Sequence, residues 1–433
     1  MTIPGCRKSR LKDLQMRVLI LSVNYWPEVT GIGALTTYRA EYLASVGHEV
    51  EVCTTFPYYP DWKVPREYSG KLARQDNRNG VSIVRSYAYI PNPVTPLKRI
   101  LFEASFIIGV TLRALLRKRP DVLLVVSPPL GLAATAILLS RLWSVPYVFD
   151  VEDLQPDSAS DLGMLPKWAV KLLYKVENAA YRHARLVATL TPSMRQKIVD
   201  KGFAEDQVEL FEPRMDDSFI DLPPEKGNAF RQRYDLGEKF LVTHSGNMGV
   251  KQGLDVILDA AALNRTDDSM LFLCVGNGAD CERIKRRAAQ LDLGNVRFLP
   301  LLDEKDFRGL MAASNVCLVT QQHSVSEIAF PSKIVTYLAA GRPIVASVNP
   351  ECEVARITRE SGAGRVVEAE NPLALLEAVQ GLRNTDLRTA GENGRAYACM
   401  RWSSGRVLEH LERCLTAAAG PQMSSLAWKG FKP

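Results

Sequence analysis

Short apolar runs alternate with amphipathic segments along most of this chain, and turns bearing glycine or proline separate them. The first run, 17–23, is continuously apolar, as a strand buried on both faces of a parallel sheet is. A helical segment over 34–46 follows it, Gly47 ends that helix, and 50–54 is the next strand. This unit predicts an open α/β sheet whose ligands bind at the carboxyl ends of its strands.

The same scheme restarts near residue 240, after the acidic, proline-bearing stretch 216–226, which has the character of a linker. A chain of 433 residues is too long for one ordinary core. We therefore predict two Rossmann-like α/β domains with a ligand-binding cleft between them. The expected divisions are a flexible extension over 1–15, a first domain over 16–215, a second over 216–403, a helix over 404–419 that returns to the first domain, and a tail over 420–433.

Three segments of the first half need separate interpretation. Residues 56–79 are polar, aromatic and proline-bearing, which predicts a long loop near the site or a surface excursion. A helix over 97–118 has cations at both ends and apolar residues between, so it either lies in a membrane interface or covers the sheet. The uncharged stretch 122–140 is nearly long enough to span a bilayer, but its Pro-Pro-Leu-Gly centre favours a buried strand, a loop and a helix.

Composition is that of a soluble globular protein, with 46% hydrophobic and 24% charged residues. Residues 1–120 hold 18 Lys+Arg and 9 Asp+Glu, an excess that suits nucleic acid, an anionic membrane surface or an anionic substrate. Interleaved aromatic and basic motifs, which would favour nucleic acid, are missing. The eight cysteines form no Cys-x-x-Cys and the five histidines no ligand spacing, so we expect buried thiols and no metal. The short apolar run after the basic segment 7–17 does not fit a signal peptide.

The most informative stretch is 327–347, which begins in a polar loop and enters a helix just after Pro331. That helix ends at Gly341, and a β-branched run follows at once. Pro331 has no N–H to lose, while the N–H groups of Ser332 and Lys333 lie unpaired at the positive end of the helix dipole. This pattern predicts an anion site with a lysine inside it, although ordinary capping explains the same residues.

Carboxylates and glycines also stand at predicted strand ends. Glu152, Asp153 and Asp157 follow the strand 146–151, an arrangement useful for acid–base chemistry. Asp157 with Ser158 alternatively caps the following helix. Glycine loops follow the first strand of each half and a later strand of the second half, at Gly31 and Gly33, at Gly246 and Gly249, and at Gly276 and Gly278. As a dinucleotide fingerprint the first of these is incomplete, because Thr36 takes the place of the third glycine.

With these residues in view, the chain resembles the retaining glycosyltransferases of family 4, which have the GT-B fold. Within that family it resembles the WcaI-like and WbuB-like branch, which makes colanic acid, O-antigen and other exopolysaccharides. The resemblance covers about residues 16–418. Six motifs in order carry it: Asn24-Tyr-Trp-Pro-Glu-Val-Thr-Gly-Ile-Gly33, Ser127-Pro-Pro129, Asp153-Leu-Gln-Pro-Asp157, Gly246-Asn-Met-Gly-Val-Lys-Gln-Gly253, Val275-Gly-Asn-Gly278, and Phe330-Pro-Ser-Lys333 with Gly341-Arg-Pro343.

The resemblance implies transfer of a sugar, with retention, from a nucleotide-sugar donor. Preorganised N–H dipoles and cations would stabilise the charge that develops on the departing diphosphate. The candidate catalytic residues are Glu152, Asp153 and Lys333. The candidate donor-binding residues, with the base near Gly276, Leu299 and Leu302, are Gly31, Gly33, Gly246, Asn247, Gly249, Lys251, Gln252, Gly276, Gly278, Leu299, Leu302, Glu327, Pro331, Ser332, Lys333 and Thr336.

The implied acceptor is a growing saccharide on a polyprenyl diphosphate. This places the protein in the cytoplasm, peripheral on the inner face of the cytoplasmic membrane, which would explain its basic, apolar first domain. The resemblance implies no cofactor and no metal ion, and it gives no reason to expect a nucleic-acid partner.

Three departures from the wider family leave other functions open. Ile328 and Thr336 stand where the family has two glutamates. Asn247 and Gln252 stand where it has a phosphate-binding arginine and lysine, and Glu152 stands where it has a first-domain histidine. One alternative is a catalytically inert GT-B scaffold in polysaccharide assembly, which would bind nucleotide without turnover. Another is a nucleotide-sugar 2-epimerase, whose acid–base chemistry the few histidines hardly supply.

Overall fold

The computed structural model describes residues 15–28, 31–161, 165–324 and 330–420. They form two compact α/β units. The first unit combines the described parts of Met1–Leu190, Met194–Phe211 and Leu408–Pro433, and the second combines Thr191–Ser193 with the described parts of Glu212–Val407. The predicted two-domain α/β architecture is confirmed.

An eight-stranded sheet forms the centre of the first unit. Its strands are β1 (Arg17–Leu21), β2 (Glu49–Thr55), β3 (Ala73–Arg78), β4 (Val81–Ser86), β5 (Val122–Ser127), β6 (Tyr147–Val151), β7 (Leu186–Thr189) and β8 (Val208–Leu210). They lie in the order β3-β4-β2-β1-β5-β6-β7-β8, and every pair is parallel except β3 with β4. The helices are α1 (Gly31–Ser45), α2 (Pro96–Leu115), α3 (Leu132–Trp143), α4 (Gln155–Asp161), α5 (Lys167–His183) and α6 (Pro192–Asp200).

The structure corrects one of the three interpreted segments and confirms another. The stretch 56–79, predicted as a loop, ends in β3, which pairs antiparallel with β4 at the sheet edge. Because β3 reads Ala-Arg-Gln-Asp-Asn-Arg, it carries no apolar signal for a strand. The stretch 122–140 is a buried strand, a turn and a helix, as predicted. Among the described residues, no helix combines the length and apolar character needed to cross a membrane.

A six-stranded parallel sheet forms the centre of the second unit. Its strands are β9 (Phe240–Asn247), β10 (Met270–Asn277), β11 (Val296–Leu299), β12 (Val316–Thr320), β13 (Ile344–Val348) and β14 (Gly364–Glu368). They lie in the order β11-β10-β9-β12-β13-β14. The helices after α6 are α7 (Pro224–Arg233), α8 (Asp255–Leu263), α9 (Cys281–Gln290), α10 (Glu304–Ala313), α11 (Lys333–Ala339), α12 (Glu353–Glu360), α13 (Pro372–Arg383), α14 (Leu387–Trp402) and α15 (Ser404–Ala419).

Two of these helices, α7 and α12, are missing from the sequence prediction. Helix α7 begins at Pro224, inside the stretch predicted as a linker, because the fixed φ of proline suits the first turn of a helix as well as an irregular segment. Helix α15 belongs to the first unit from Leu408 onward. Its Leu411, Cys414 and Leu415 lie in the core of that unit with β1 and β5.

Glycines on α14 allow this helix to pack closely against α11. A Cβ at Gly391 would lie 2.3 Å from the carbonyl oxygen of Gly341, just beyond α11. A Cβ at Gly394 would lie 2.8 Å from Leu338 Cδ2. Helix α14 continues to Trp402, which is fully buried. The position of α11 therefore depends on a contact that leaves no room for a side chain.

We expect Gly391→Ala to lower the free energy of unfolding by about 1–3 kcal/mol, because the new methyl group would overlap a backbone carbonyl. Gly294→Ala is the matched control, since no atom lies within 4 Å of the position its Cβ would take. We expect it to change stability by less than about 0.5 kcal/mol. Urea unfolding of both variants measures the difference, and equal midpoints would contradict the tight packing of α14.

Candidate functional site

The carboxyl ends of β9 and β10 carry two glycine turns that meet. Gly246 lies opposite Gly276, and Asn247 opposite Asn277, in the parallel ladder. A Cβ at Gly276 would lie 2.0 Å from the Gly246 carbonyl oxygen, and Gly276 has a φ of +135°. Any other residue at this position would force the strands apart, so the fold itself requires this glycine.

Backbone hydrogen bonds join the turns beyond the strands. The Met248 N–H donates to the Asn277 carbonyl and the Asp280 N–H donates to the Met248 carbonyl, both at 2.9 Å. Gly278 leaves room for this arrangement, because a Cβ there would lie 2.5 Å from the Met248 carbonyl oxygen. The two turns thus form one fixed backbone surface at the edge of the sheet.

Asn247 and Gln252, where the wider family has an arginine and a lysine, shape the first turn. The Gly249 N–H donates to Gln252 Oε1 at 3.0 Å, and Asn247 Nδ2 lies 3.2 Å from the position of a Gly249 Cβ. The carbonyl of the neighbouring Lys251 accepts the Gln322 N–H at 3.0 Å. Neither neutral amide adds positive charge to this turn.

Lys333, the first residue of α11, reaches the same turn. Its Cε and Nζ lie 3.6 and 3.8 Å from the position that a Gly246 Cβ would take. The residue as a whole is half-buried, but its ammonium group is enclosed, and this burial lowers the pKa of Lys333 from 10.5 to about 7. No carboxylate among the described residues forms an ion pair with it. The enclosed ammonium therefore lacks a counter-charge within that part of the chain.

His244, which the sequence analysis did not single out, lies beside Lys333 on β9. Its Nε2 is 3.3 Å from the Lys333 Nζ, and the side chain is fully buried. Burial and the adjacent ammonium hold the pKa of His244 well below its ordinary value, so the imidazole is neutral at pH 7. The sequence shows only one polar residue within an apolar strand, which does not reveal that it contacts Lys333.

Tyr337 fixes the direction of Lys333. Its buried hydroxyl accepts the Ser245 N–H at 2.9 Å and lies 2.9 Å from the Ser245 Oγ. Because residues 333 and 337 are one turn apart, they share a face of α11. This contact therefore holds the lysine against the end of β9. The sequence analysis missed Tyr337 too, since a tyrosine among apolar helix residues is an ordinary core signal.

The other predicted donor residues lie at varied positions. Leu299 and Leu302 pack against the core cluster that also contains Ile334 and Tyr337. Pro331 and Thr336 are half-buried and Ser332 is exposed, while Glu327 is outside the described residues. In the first unit, Gly31 begins α1 with a φ of +57° and open space around its Cβ position.

Glu152 lies in a buried ionic cluster of the first unit. One guanidinium nitrogen of Arg39, on α1, donates to Asp150 at 2.5 Å and to Glu152 at 2.9 Å, and the other donates to the Phe211 carbonyl at 2.6 Å. Desolvation and the neighbouring Asp150 raise the pKa of Glu152 well above its ordinary value. One arginine thus faces two buried carboxyl groups. The structure thus gives Glu152 partners within the core.

Asp153 and Asp157 have partners of different kinds. Asp153 Oδ1 accepts a hydrogen bond from the Ser158 hydroxyl at 2.9 Å, beside the start of α4. Asp157 instead pairs with Lys201 at 2.6 Å. Asp157 and Ser158 both lie inside α4, and the N-cap residue of the next helix, α5, is Pro166. The alternative that these two residues cap the following helix is therefore wrong.

A buried carboxylate that the sequence analysis overlooked organises the loop before α1. Glu28 Oε1 accepts the backbone N–H groups of Tyr58 and Tyr59, both at 2.8 Å, and Oε2 accepts the Asn24 amide at 2.7 Å. A Cβ at Gly33 would lie 2.9 Å from both the Glu28 Cβ and its carbonyl oxygen. Gly33 therefore makes room for Glu28, which joins this loop to the aromatic segment after β2.

Comparison with known proteins covers both halves of the chain. Residues 30–213 match the family model of the glycosyl transferase 4-like domain, and residues 239–385 match that of glycosyl transferases group 1. WcaI of Escherichia coli, whose name assigns it to colanic acid biosynthesis as a glycosyl transferase, is 31% identical over 375 residues, which cover 84% of this chain and 91% of WcaI. WbjE of Pseudomonas aeruginosa, named as a glycosyltransferase, is 29% identical over 332 residues, covering 73% and 78%.

Solved structures show the same fold. Sucrose-phosphate synthase of Thermosynechococcus elongatus superposes with a TM-score of 0.74 at 17% identity, covering 93% of this chain and all of that one. HepE of Anabaena, in complex with UDP-glucose, gives a TM-score of 0.70 at 16% identity with the same coverage. With WcaI more than 30% identical along most of both chains, the protein belongs to the family 4 glycosyltransferases of GT-B fold, in the branch related to WcaI.

Proposed function

We propose that this glycosyltransferase moves a sugar, with retention and without a metal ion, from a nucleotide-sugar donor to a lipid-linked saccharide acceptor in the synthesis of a cell-surface polysaccharide. The enclosed Lys333 ammonium carries the proposal. A buried cation without a counter-charge is unfavourable, and the diphosphate of a nucleotide sugar would supply that charge. The UDP-glucose complex of HepE and the colanic acid assignment in WcaI's name support the same donor and pathway class.

The donor site would be the backbone surface formed by the turns at 246–249 and 276–278. Their glycines are needed for the strands to meet, and they also leave the backbone open to a close ligand. Lys333 beside Gly246 would stabilise the charge that develops on the departing diphosphate. His244 would then accept a hydrogen bond from the ammonium without competing for its charge, because its imidazole is neutral.

Retention in this proposal needs no protein nucleophile, since departure and attack occur on one face of the donor. This agrees with the buried, arginine-paired position of Glu152, which would serve the fold of the first unit. Asp153, half-buried and hydrogen-bonded to Ser158, remains the proposed carboxylate near the reacting sugar.

Helix α2 supports a lipid-linked acceptor and a peripheral position on the inner face of the cytoplasmic membrane. One face of it packs into the unit through Phe102, Phe106, Val110 and Ala114. The opposite face carries a stripe of side chains that are each more than half exposed, namely Leu97, Leu101, Ile108 and Leu112. Cations flank the stripe at Lys98, Arg99, Arg113, Arg117 and Lys118. An apolar stripe bordered by cations suits the interface of an anionic membrane.

A groove of about 520 Å³ lies beside this stripe. Its lining residues include Leu72, Tyr87, Ile108, Leu112, Arg113 and Leu116. The groove would take an apolar chain while its arginine meets a phosphate group.

Thermal unfolding with nucleotide sugars of different bases would identify the donor. A ligand at about 100 times its dissociation constant adds about 2.7 kcal/mol of stability, so one base should raise the melting temperature above the others. No shift with any nucleotide, from folded protein, would overturn the proposal. Binding without transfer to any lipid-linked acceptor would favour the inert scaffold.

The affinity for the nucleotide sugar should fall as pH rises above 7. The free Lys333 has a pKa of about 7, and a bound diphosphate raises this value, so binding takes up a proton between the two pKa values. Kd should therefore rise by up to about tenfold per pH unit from pH 7 to the bound-state pKa. Calorimetric titration in buffers of different pH measures the slope.

Two variants at the same position control for this effect. Lys333→Arg keeps a charge that does not titrate in this range, so its Kd should be flat with pH. Lys333→Met should bind weakly at every pH, and its kcat/KM should fall by an amount equivalent to about 2–4 kcal/mol. A flat profile in the unmodified protein would remove Lys333 from the donor site.

Ile108→Glu should weaken binding to vesicles rich in anionic phospholipid by about tenfold or more, because one buried aliphatic side chain contributes about 1.5–3 kcal/mol. Leu373→Glu, at a similarly exposed position on α13, is the matched control and should bind as the unmodified protein does. Vesicle co-sedimentation reports both. Equal loss in the two variants, or no binding by the unmodified protein, would contradict the assigned surface.

A further inference from the structure

We propose that Glu209, His410 and Cys414 form a binding site for one divalent cation of the zinc class, which fastens α15 to β8. The site lies in the first unit, whereas the donor-binding turns belong to the second. It takes no part in the proposed transfer reaction, and it does not depend on the proposed function.

The three donors come from two elements. His410 and Cys414 are four residues apart on α15 and so share one helix face. Glu209 is in β8, the strand at the edge of the sheet. The His410 Nε2 lies 3.4 Å from the Glu209 Oε2 and 3.6 Å from the Cys414 Sγ. All three donor atoms lie within 4.8 Å of one another.

The distance between His410 and Glu209 is long for a direct hydrogen bond, while that between His410 and Cys414 suits either a hydrogen bond to sulfur or shared coordination. A charged nitrogen–carboxylate hydrogen bond is usually about 2.7–2.9 Å long, shorter than the 3.4 Å between His410 and Glu209. Tetrahedral zinc, with Zn–N and Zn–O near 2.1 Å and Zn–S near 2.3 Å, separates its N and O ligands by about 3.4 Å and its S and N ligands by about 3.6 Å. The two measured separations match these values.

The exposure of the three side chains also suits a site that a cation enters from solvent. Cys414 is buried, while the side chains of His410 and Glu209 are 31% and 20% exposed. The thiol would form the base of the site and water would complete the tetrahedron from the open side. On binding, the S–H bond breaks, a Zn–S bond forms from the thiolate lone pair, and the proton passes to solvent. The rings of Phe211 and His410 form a T-shaped pair with centroids 6.4 Å apart, which limits rotation of the imidazole.

From the sequence we expected no metal ion, because the cysteines and histidines show no metal-ligand spacing. His410 and Cys414 are visible there as a four-residue pair, but the third donor comes from a strand far earlier in the chain. A cation at this point would bind only the folded arrangement of α15 on β8. It would therefore add to the stability of the first unit.

The test uses the full chain, free of affinity tag and stripped of metal by a chelator, with Co²⁺ as the probe. We expect one equivalent to bind, with a thiolate-to-cobalt charge-transfer band in the near ultraviolet that Zn²⁺ abolishes by displacement. Zn²⁺ should also raise the melting temperature. Cys414→Ser should lose the charge-transfer band and the Zn²⁺-dependent shift.

Two further variants keep the test decisive if Cys414→Ser folds poorly. Glu209→Gln, at a partly exposed position, should weaken Zn²⁺ affinity about tenfold or more. Cys399→Ser, which changes a half-exposed cysteine on α14, should keep both the band and the shift. No thiolate band in the unmodified chain, or a band that survives Cys414→Ser and disappears in Cys399→Ser, would overturn the assignment.

Discussion

The enclosed ammonium of Lys333 is the constraint on which the second unit depends. Three separate features hold it at the end of β9: the Tyr337 contact with Ser245, the close packing of α14 on α11, and the absence of a side chain at Gly246. Each of these features restricts either the conformation of the chain or the residues that its positions tolerate. None of them neutralises the charge of the Lys333 ammonium. A fold that fixes Lys333 beside a backbone surface, with no carboxylate partner among the described residues, is organised to receive an anion. Binding would supply the counter-charge that favours the protonated amine.

In the first unit, by contrast, the buried cation has carboxyl partners. Its buried Arg39 is fully partnered, with two carboxyl groups and the Phe211 carbonyl around one guanidinium. Here two carboxyl groups face one cation, and desolvation with the neighbouring Asp150 raises the pKa of Glu152. Both clusters bury ionisable groups at parallel strand ends, yet only Lys333 has its charge uncompensated among the described residues. Lys333, which has no carboxylate partner among the described residues, is therefore suited to bind an anionic ligand. Arg39, whose carboxyl partners lie within the core, stabilises the fold.

The fold requires the motif glycines for steric reasons, whether or not a ligand binds. Gly276 and Gly278 allow two turns to touch, and Gly33 makes room for Glu28. The same glycines suit the proposed donor site, because a turn without side chains lets a ligand approach its backbone closely. The same glycines can therefore satisfy both the fold and the chemistry, which explains how short motifs carry the resemblance across otherwise different sequences.

The sequence by itself determined the two α/β halves, most strands and helices, and the position of Lys333 at the start of a helix, because hydrophobic period and turn residues are local properties. It missed β3, whose polar residues form an edge strand, and α7, whose proline suited two interpretations. Only the tertiary structure decided that His244 contacts Lys333 and that Tyr337 contacts Ser245. It also decided that Arg39 pairs with Glu152 and that Glu209 approaches α15. Such pairs join residues far apart in the chain, and their contacts exist only after the elements pack.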